Sequence, residues 1–374
     1  MLNFLNFFES LVTLICYFCY KCEFILLSVS ILIPLLLSIA IYTLAERKWM
    51  ASVQRRKGPN VVGIWGFLQP FADGLKLILK EILVPTKANR AVFIGSPAVT
   101  LFFSLIGWIS FAFNSYCVLN MNCSIMYLLV CSSFGVYGII LASWSSNSKY
   151  SYLGMFRSLA QMISYEITIG FCVMFNVLLS GSLCLDFIIY LQTQTVWFIF
   201  PLFPVSIIFF ISILAETNRT PFDLSEAEAE LVAGYNTEYS SIVFAFFFLG
   251  EYSSIIFMSS LFTSFFLAGG SVPIFSNYIK LLVLHKGTFL FLYNFMFAFK
   301  TVLVMFFFVF IRANLPRYRF RDLMFINWKN LFPLILGLFF FYIGILWALD
   351  SFLISSIPRL TWKYYTIIGL STRF

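Results

Sequence analysis

The residues best suited to chemistry are concentrated in one acidic stretch of an otherwise apolar chain. Residues 216–251 contain seven of the sixteen acidic residues and a single basic one, Arg219. This density of carboxylates is costly beside a membrane unless bases from elsewhere, or bound protons, neutralise it. The stretch is therefore predicted either to pair with distant bases or to exchange protons.

Four of these acids are close together in sequence and are predicted to interact. Asp223, Glu226 and Glu230 are spaced so that they share one face of a helix, while Glu228 points nearly the opposite way. Because four neighbouring carboxylates cannot all stay ionised cheaply, some of their pKa values are expected to rise. Carboxyl groups that exchange protons near neutrality are what a proton relay requires. The alternative is a solvated acidic loop.

The beginning of this stretch has the pattern of a helix start. Thr220 is predicted as the N-cap and Pro221 as the first helical residue. Asp223 then has two interpretations, because it is either a capping side chain or a member of the acidic group.

Three further ionisable residues lie inside apolar segments or near their ends, namely Glu166, Glu251 and Lys300. Ionisable groups are costly in hydrocarbon, so such positions indicate function by default, with a snorkelling or ion-paired structural role as the alternative. Tyr137 lies between two glycines at a point that favours close helix packing. It is predicted either to make a structural hydrogen bond or to join the same chemistry.

A second polar segment carries mainly bases. It covers residues 45–60 and 66–76 and contains Arg47, Arg56 and Asp73. An apolar run of about 22 residues precedes it and reaches about 33 Å as a helix. The two arginines are therefore predicted at the membrane surface, where they are suited to binding a polar headgroup; topological anchoring is the alternative.

Part of this basic segment has an amphipathic pattern. Phe71, Leu75, Ile78 and Ile82 recur at helical spacing, and charged residues occupy another face. The pattern predicts an amphipathic helix at the membrane interface. The helix is either a lipid-surface anchor or a wall beside the mouth of a cavity.

The composition indicates the setting of these segments. Apolar residues make up 61% of the 374 residues and charged residues 11%, against about 45–50% and about 25% in globular proteins. Too few polar side chains remain to cover a soluble surface. A membrane span needs about 20 apolar residues. Eight runs qualify: 24–45, 92–114, 124–144, 158–180, 195–215, 239–263, 288–311 and 331–352.

The links between these runs alternate in charge. The link after the first run contains nine Lys and Arg residues and the link after the seventh contains five, whereas the links after the second and fourth contain none. By the positive-inside rule, the odd-numbered links face the matrix or cytoplasm. Both termini are then predicted on the opposite side.

The sequence thus predicts an all-α, polytopic membrane protein of about eight transmembrane helices, with an amphipathic interfacial helix and a long acidic matrix-side loop. Residues 24–352 are expected to form a single membrane domain, 1–23 an N-terminal extension with an interfacial helix, and 353–374 a C-terminal tail. The spacing of Cys16, Cys19 and Cys22 is known from iron–sulfur proteins. No suitable fourth ligand follows, so buried thiols are the interpretation adopted.

Both polar segments resemble the diagnostic motifs of chain 1 of respiratory NADH–ubiquinone oxidoreductase, or complex I. The first reads Ala-Glu-Arg-Lys-Trp-Met-Ala from residue 45, and the second Ala-Glu-Thr-Asn-Arg-Thr-Pro-Phe-Asp from residue 215. Ser225 departs from the pattern, where Pro or Ala is usual. The resemblance covers about residues 30–350 in order. Shorter matching motifs lie at 135–138, 144–149, 164–166, 249–252 and 316–319.

The resemblance implies a subunit of the proton-translocating NADH:ubiquinone reductase. Such a subunit is expected to form the quinone chamber with peripheral-arm subunits and to begin the proton path into the membrane arm. The residues implied near the quinone are Arg47, Arg56, Asp73, Arg219 and Phe222. The residues implied in a water-filled acidic proton path are Tyr137, Glu166, Glu216, Glu226, Glu228 and Glu251.

The resemblance also implies the cofactors and partners. Ubiquinone is the expected substrate at a shared site, and NADH, FMN and iron–sulfur clusters are expected in partner subunits only. No catalytic residue, metal site or redox centre is expected in this chain, since His285 is its only histidine and no nucleotide-binding motif occurs. The expected partners are peripheral-arm quinone-site subunits, small membrane subunits and lipids, with cardiolipin as a candidate, and no nucleic acid.

The 49 phenylalanines are typical of an AT-rich organellar gene. With the resemblance, they predict the mitochondrial inner membrane, with both termini in the intermembrane space. The nearest alternative is the homologous membrane subunit of a hydrogenase-type complex. A free-standing ion transporter is another, although the internal repeat common in transporters is not visible. A purely structural anchor would leave the acidic stretch unexplained.

Overall fold

The computed structural model describes residues 2–111, 121–223, 234–271 and 286–353, with side chains for 26–111, 121–223, 234–271 and 291–348. All regular structure in these ranges is helical. The α-helices are α1 (Leu2–Val53), α2 (Gln69–Leu79), α3 (Arg90–Ile106), α4 (Ser124–Ser146), α5 (Lys149–Ser180), α6 (Leu185–Gln194), α7 (Phe203–Glu216), α8 (Ser241–Phe266), α9 (Lys286–Asn314), α10 (Phe320–Phe325) and α11 (Phe332–Leu353).

Seven helical segments of the described residues are long and apolar enough to cross a membrane. They confirm the prediction of an all-α polytopic membrane protein. The segments are Leu26–Val53, Arg90–Ser110, Ser124–Ser146, Lys149–Ser180, Ser241–Phe266, Phe291–Asn314 and Phe320–Ala348.

The fifth predicted run, 195–215, differs from expectation. Its helix, α7, begins only at Phe203 and has 14 residues, about 21 Å at 1.5 Å per residue. Two prolines explain the late start, because proline lacks the backbone N–H that a helix interior requires and is tolerated in the first turn. Pro204 lies in that first turn, and Pro201 lies in the turn before it.

The first and last predicted runs belong to longer helical segments. α1 continues from Leu2 to Val53, so the predicted extension and the first run form one helix. The interfacial placement of residues 1–23 stays a prediction, and the side chains of the three extension cysteines lie outside the described set. At the other end, α10 leads through a π-helical turn, Ile326–Leu331, directly into α11.

The helices pack around a large apolar core formed mainly by α5, α7, α8 and α9. Two helix backbones approach closely between α3 and α4, where a Cβ on Gly138 would lie 2.9 Å from the backbone nitrogen of Thr100. This contact confirms close packing beside Tyr137. Large apolar side chains cover the outer surface, and Trp347, for example, is 80% exposed. Such a surface suits hydrocarbon as the solvent.

The amphipathic helix is confirmed as α2, although it ends at Leu79, before Ile82. Its apolar face is not covered by the described part of the chain, because Phe71, Leu75 and Ile78 are all exposed. Its position at the membrane interface stays a prediction.

Candidate functional site

A buried ionic cluster forms around Glu46 of α1, whose side chain is only 3% exposed. Tyr252 of α8 donates its hydroxyl to Glu46 Oε2 at 2.7 Å. Arg312, in the last turn of α9, donates through Nη1 to Glu46 Oε1. Arg219 Nη1 lies 3.7 Å from the same oxygen. One carboxylate thus joins three helices and the segment that follows α7.

Among the described residues, the cluster has two guanidinium groups around one carboxylate. The guanidinium of Arg219 also lies over the ring of Tyr252, 4.4 Å from its centroid, which is a favourable cation–π geometry. Such a partly desolvated pair of arginines is suited to a ligand with oxygen acceptors.

Neither Glu46 nor Arg312 was predicted as a site residue. The available signal was an acid inside the long apolar helix, directly before Arg47, and an arginine in the last turn of another. Their partners lie more than 170 positions away in the chain, and spacing cannot reveal contacts of that kind.

Arg47 and Asp73 form a second, more exposed ion pair. Arg47 Nη1 lies 2.6 Å from Asp73 Oδ2, and Gln69 donates to Asp73 Oδ1 at 2.9 Å. The pair connects α1 to α2. Arg56 is placed apart from it, with a local hydrogen bond of 2.8 Å to Gln54 Oε1 at the end of α1. The structure therefore brings together two of the three predicted residues of this segment.

The segment after α7 is a compact turn and not a helix start. Residues 220–223 are non-helical, so the prediction of Thr220 as N-cap and Pro221 as first helical residue is wrong. The Phe222 N–H donates to the Arg219 carbonyl at 2.7 Å and closes the turn. Gln161 of α5 donates to the Phe222 carbonyl at 2.8 Å and holds the turn in place.

The end of this turn contacts the link between α9 and α10. Asp223 Oδ2 lies 3.4 Å from Arg317 Nη2, so its carboxylate forms an ion pair. The ring of Phe222 is buried and stacks on Tyr318 at 5.7 Å between centroids. Glu226, Glu228 and Glu230, with the helix face predicted for them, lie outside the described residues.

A cavity of about 90 Å³ lies between α3, α4, α7 and α8. One water needs about 10–15 Å³ of such space, so the cavity has room for several waters. Glu216 and Glu251 both line it. Among the described residues no donor reaches Glu216 Oε2, whereas Tyr235 donates to Glu251 Oε1 at 2.5 Å. Further polar lining comes from Thr100, Ser104, Ser132 and Ser254.

Two other predicted proton-path residues lie outside this lining. Glu166 is partly buried, contacts the hydroxyl of Ser133, and is close enough to Glu216 for their charges to interact. Tyr137 is 56% exposed and packs beside Phe134 on the outer surface. Two carboxyls thus share a cavity with room for water and a third lies nearby, which is an arrangement suited to proton exchange.

Comparison with known proteins connects this geometry to a family. The sequence profile described as NADH dehydrogenase matches residues 26–343. The chain belongs to the NADH dehydrogenase family. The matched range of this family contains every residue of the ionic cluster and of the cavity, and it excludes the whole of the predicted extension and of the predicted tail.

Individual members of the NADH dehydrogenase family are similar over most of their length. NADH-ubiquinone oxidoreductase chain 1 of Chondrus crispus is 51% identical over 320 residues, covering 85% of this chain and 95% of the relative. The same protein of Arabidopsis thaliana is 51% identical, covering 83% and 92%. An NADH-quinone oxidoreductase subunit of Paramagnetospirillum magneticum is 49% identical, covering 82% and 86%.

Lys300, the remaining ionisable residue predicted inside a run, lies away from both sites. Its Nζ donates to the carbonyls of Leu267, Gly269 and Ser271 at 2.7, 2.9 and 2.5 Å. It also lies 4.3 Å from the ring centroid of Trp197. A cation at the end of α8 offsets the negative end of the helix dipole. This geometry favours the structural interpretation of Lys300.

Proposed function

We propose that this chain is the membrane subunit of respiratory NADH–ubiquinone oxidoreductase that forms part of the quinone chamber and the start of the proton path. One observation carries the proposal: α8 and the segment at the end of α7 each contribute residues to both the ionic cluster and the cavity. On α8, Glu251 lines the cavity and the adjacent Tyr252 binds Glu46. After α7, Glu216 lines the cavity and Arg219, three residues later, lies beside Glu46.

The quinone side of the proposal comprises Arg47, Arg56, Asp73, Arg219 and Phe222. Ubiquinone has two carbonyl oxygens and an apolar tail, so it requires hydrogen-bond donors beside an apolar surface. The guanidinium of Arg219 and the exposed Arg47 supply donors. Tyr318, which is exposed and stacks on the buried ring of Phe222, supplies a flat apolar surface. The rest of the chamber belongs to partner subunits in this proposal.

The proton side comprises Tyr137, Glu166, Glu216, Glu226, Glu228 and Glu251. Reduction of the quinone takes up two protons and changes the charge near Arg219. The proton affinity of Glu216, three residues before Arg219, responds to that change of charge, since the protein interior screens charge weakly. The waters that the cavity can hold provide the hydrogen-bonded connection from Glu216 to Glu251.

The partners follow from the same proposal. NADH, FMN and iron–sulfur clusters are held by partner subunits, and electrons reach the quinone from there. The remaining partners are peripheral-arm quinone-site subunits, small membrane subunits and lipids such as cardiolipin. The location is the mitochondrial inner membrane, with both termini in the intermembrane space. The names of the Chondrus and Arabidopsis relatives support this role over a hydrogenase-type complex or a free-standing transporter.

The experiment begins with isolation of the chain from its native membrane. Recovery with flavin and iron–sulfur subunits and with NADH:ubiquinone activity is expected. Recovery with a hydrogenase, or alone, would overturn the proposal. In the isolated complex, a photoreactive short-chain ubiquinone is expected to label residues 45–73 or 216–223, and excess ubiquinone is expected to protect them. Labelling of this chain elsewhere would remove the quinone assignment.

A further inference from the structure

Tyr235 makes a direct hydrogen bond to one of the cavity carboxyls. Its hydroxyl donates to Glu251 Oε1 at 2.5 Å, and both residues line the cavity. The side chain is 1% exposed, and its ring packs edge-on against Phe247 at 5.4 Å. Because the ring is enclosed, the hydroxyl has a defined position relative to the carboxylate.

The backbone that carries Tyr235 is held by a neighbouring helix. Tyr235 lies in a short 3₁₀ turn, Gly234–Asn236. A Cβ added to Gly154 of α5 would lie 2.9 Å from the Gly234 Cα and 3.0 Å from the Tyr235 nitrogen. The turn and α5 are thus in backbone contact, which leaves little freedom for Tyr235 to shift along the cavity.

The turn also occupies a particular place in the chain. It lies inside the acidic stretch, and Tyr235 is seven positions after Glu228. The hydroxyl therefore connects the link between α7 and α8 with Glu251, which is on α8 beyond that link. The sequence places this tyrosine in the acidic stretch but does not pair it with a particular carboxyl.

We propose that Tyr235 is a positioning residue for proton transfer through Glu251. The inference rests on the proposed function of the cavity. Its hydroxyl holds one carboxylate oxygen of Glu251 beside the cavity that Glu216 also lines. Without the hydroxyl, the carboxylate loses this restraint and is less precisely placed for proton transfer.

Tyr235→Phe tests the inference, because it removes one oxygen and leaves the ring on Phe247. The matched control is Tyr239→Phe. Tyr239 is in the same link and also packs edge-on against Phe247, at 5.0 Å. Its hydroxyl instead bonds the Ala142 carbonyl at 3.0 Å and lies 3.1 Å from Ser96 Oγ. Burial raises the pKa of the Tyr239 phenol, so this control removes a neutral hydroxyl.

The measurements are quinone-linked turnover and proton pumping in the assembled complex, with NADH oxidation by an artificial acceptor as the reference. Tyr235→Phe is expected to lower turnover and pumping about tenfold, or about 1.4 kcal/mol in barrier height, while Tyr239→Phe leaves both near the native level. In a Glu251→Gln background, Tyr235→Phe is expected to have no further effect, because a residue that acts through Glu251 needs that carboxylate.

The outcomes separate this inference from the proposed function. Full pumping with Glu251→Gln would overturn the proton path, and the inference with it. If Glu251→Gln impairs pumping but Tyr235→Phe pumps at the native level, the inference alone would be overturned. Additive losses of pumping in the double variant would overturn it as well. If Tyr235→Phe does not assemble, Glu251→Asp carries the test, since the shorter side chain moves the carboxylate from the hydroxyl. Native turnover in that variant would contradict positioning, and a comparable loss would support it.

Discussion

The hydroxyl of Tyr252 donates a hydrogen bond of 2.7 Å to Glu46 Oε2, although the two residues are 206 positions apart. Glu251, the residue before Tyr252, accepts a hydrogen bond from Tyr235 at 2.5 Å in the cavity. Adjacent residues of one helix thus contact the two candidate sites. Glu46 is therefore bonded to the same turn of α8 that carries a carboxyl of the proposed proton path.

Glu46→Gln is expected to impair the quinone side strongly. The substitution leaves Arg219 and Arg312 without their shared carboxylate, and removing one partner of a buried ionic group costs about 3–5 kcal/mol. We expect less assembled complex and, in what assembles, at least tenfold lower quinone-linked turnover with artificial-acceptor activity retained. The control is Glu81→Gln, at an exposed position of the first basic link. Equal turnover for both variants would remove Glu46 from the site.

Arg47→Ala and Asp73→Ala are expected to act as one unit. Their ion pair is largely exposed, and such pairs contribute about 0.2–1 kcal/mol to stability, so both variants should assemble. Each is expected to raise the KM for a short-chain ubiquinone several-fold, and the double variant is expected to match the single ones. Arg56→Ala should also lower activity, but its effect and that of Asp73→Ala should add up in the double variant, because the two residues are not in contact. Independent effects of Arg47 and Asp73 would show that their contact is incidental.

Neutral substitutions in the acidic stretch are expected to reduce proton pumping and electron flow together. Glu216→Gln, Glu226→Gln and Glu228→Gln remove a proton-exchanging group but keep side-chain size, and general acid–base groups contribute about 10²–10⁴-fold. Quinone reduction and membrane potential should both fall at least tenfold in assembled complexes. Asp223→Asn should do less, since Asp223 pairs with Arg317 and does not line the cavity. Full pumping by any Gln variant would exclude that residue from the path.

Lys300→Met is expected to reduce stability and leave the chemistry intact. The substitution removes the hydrogen-bond donor of three backbone carbonyls. Leaving a buried polar group unpaired lowers the free energy of unfolding by about 1–3 kcal/mol. Gln192→Leu should have a similar effect, because Gln192 bonds Ser264 and Phe265 in the same region. Thermal inactivation of the purified complex measures both, with Lys76→Met at an exposed position as control. Lost turnover at native stability would instead indicate a transport role.

Thiol labelling tests the predicted orientation. Cysteines introduced as Lys57→Cys and Arg319→Cys lie in basic links, and both are expected to react with an impermeant reagent only from the matrix side. The native Cys123 is exposed in the uncharged link before α4, and it should react only from the opposite side. Reaction of the introduced and native cysteines from one face would contradict the alternating topology.

The sequence by itself determined the class of fold. Backbone groups must be hydrogen-bonded internally in lipid, and runs of about 20 apolar residues satisfy this only as helices. The same local logic predicted α2 from the spacing of Phe71, Leu75 and Ile78. It failed at α7, because two prolines outweigh hydrophobicity in deciding where a helix begins. It also failed at Thr220, where the hydrogen bond from Gln161 holds a turn.

Only the tertiary structure decided which polar residues meet. Glu46 and Arg312 are 266 positions apart, and their contact depends on how α1 and α9 pack. Lys300 has the sequence features of a functional intramembrane charge, yet three carbonyls at the end of α8 surround it. No sequence pattern pairs Tyr235 with a particular carboxyl, and its proximity to Glu251 arises from the contact of its turn with α5. Hydropathy and spacing report on one helix at a time, whereas these contacts arise where several helices exclude lipid together.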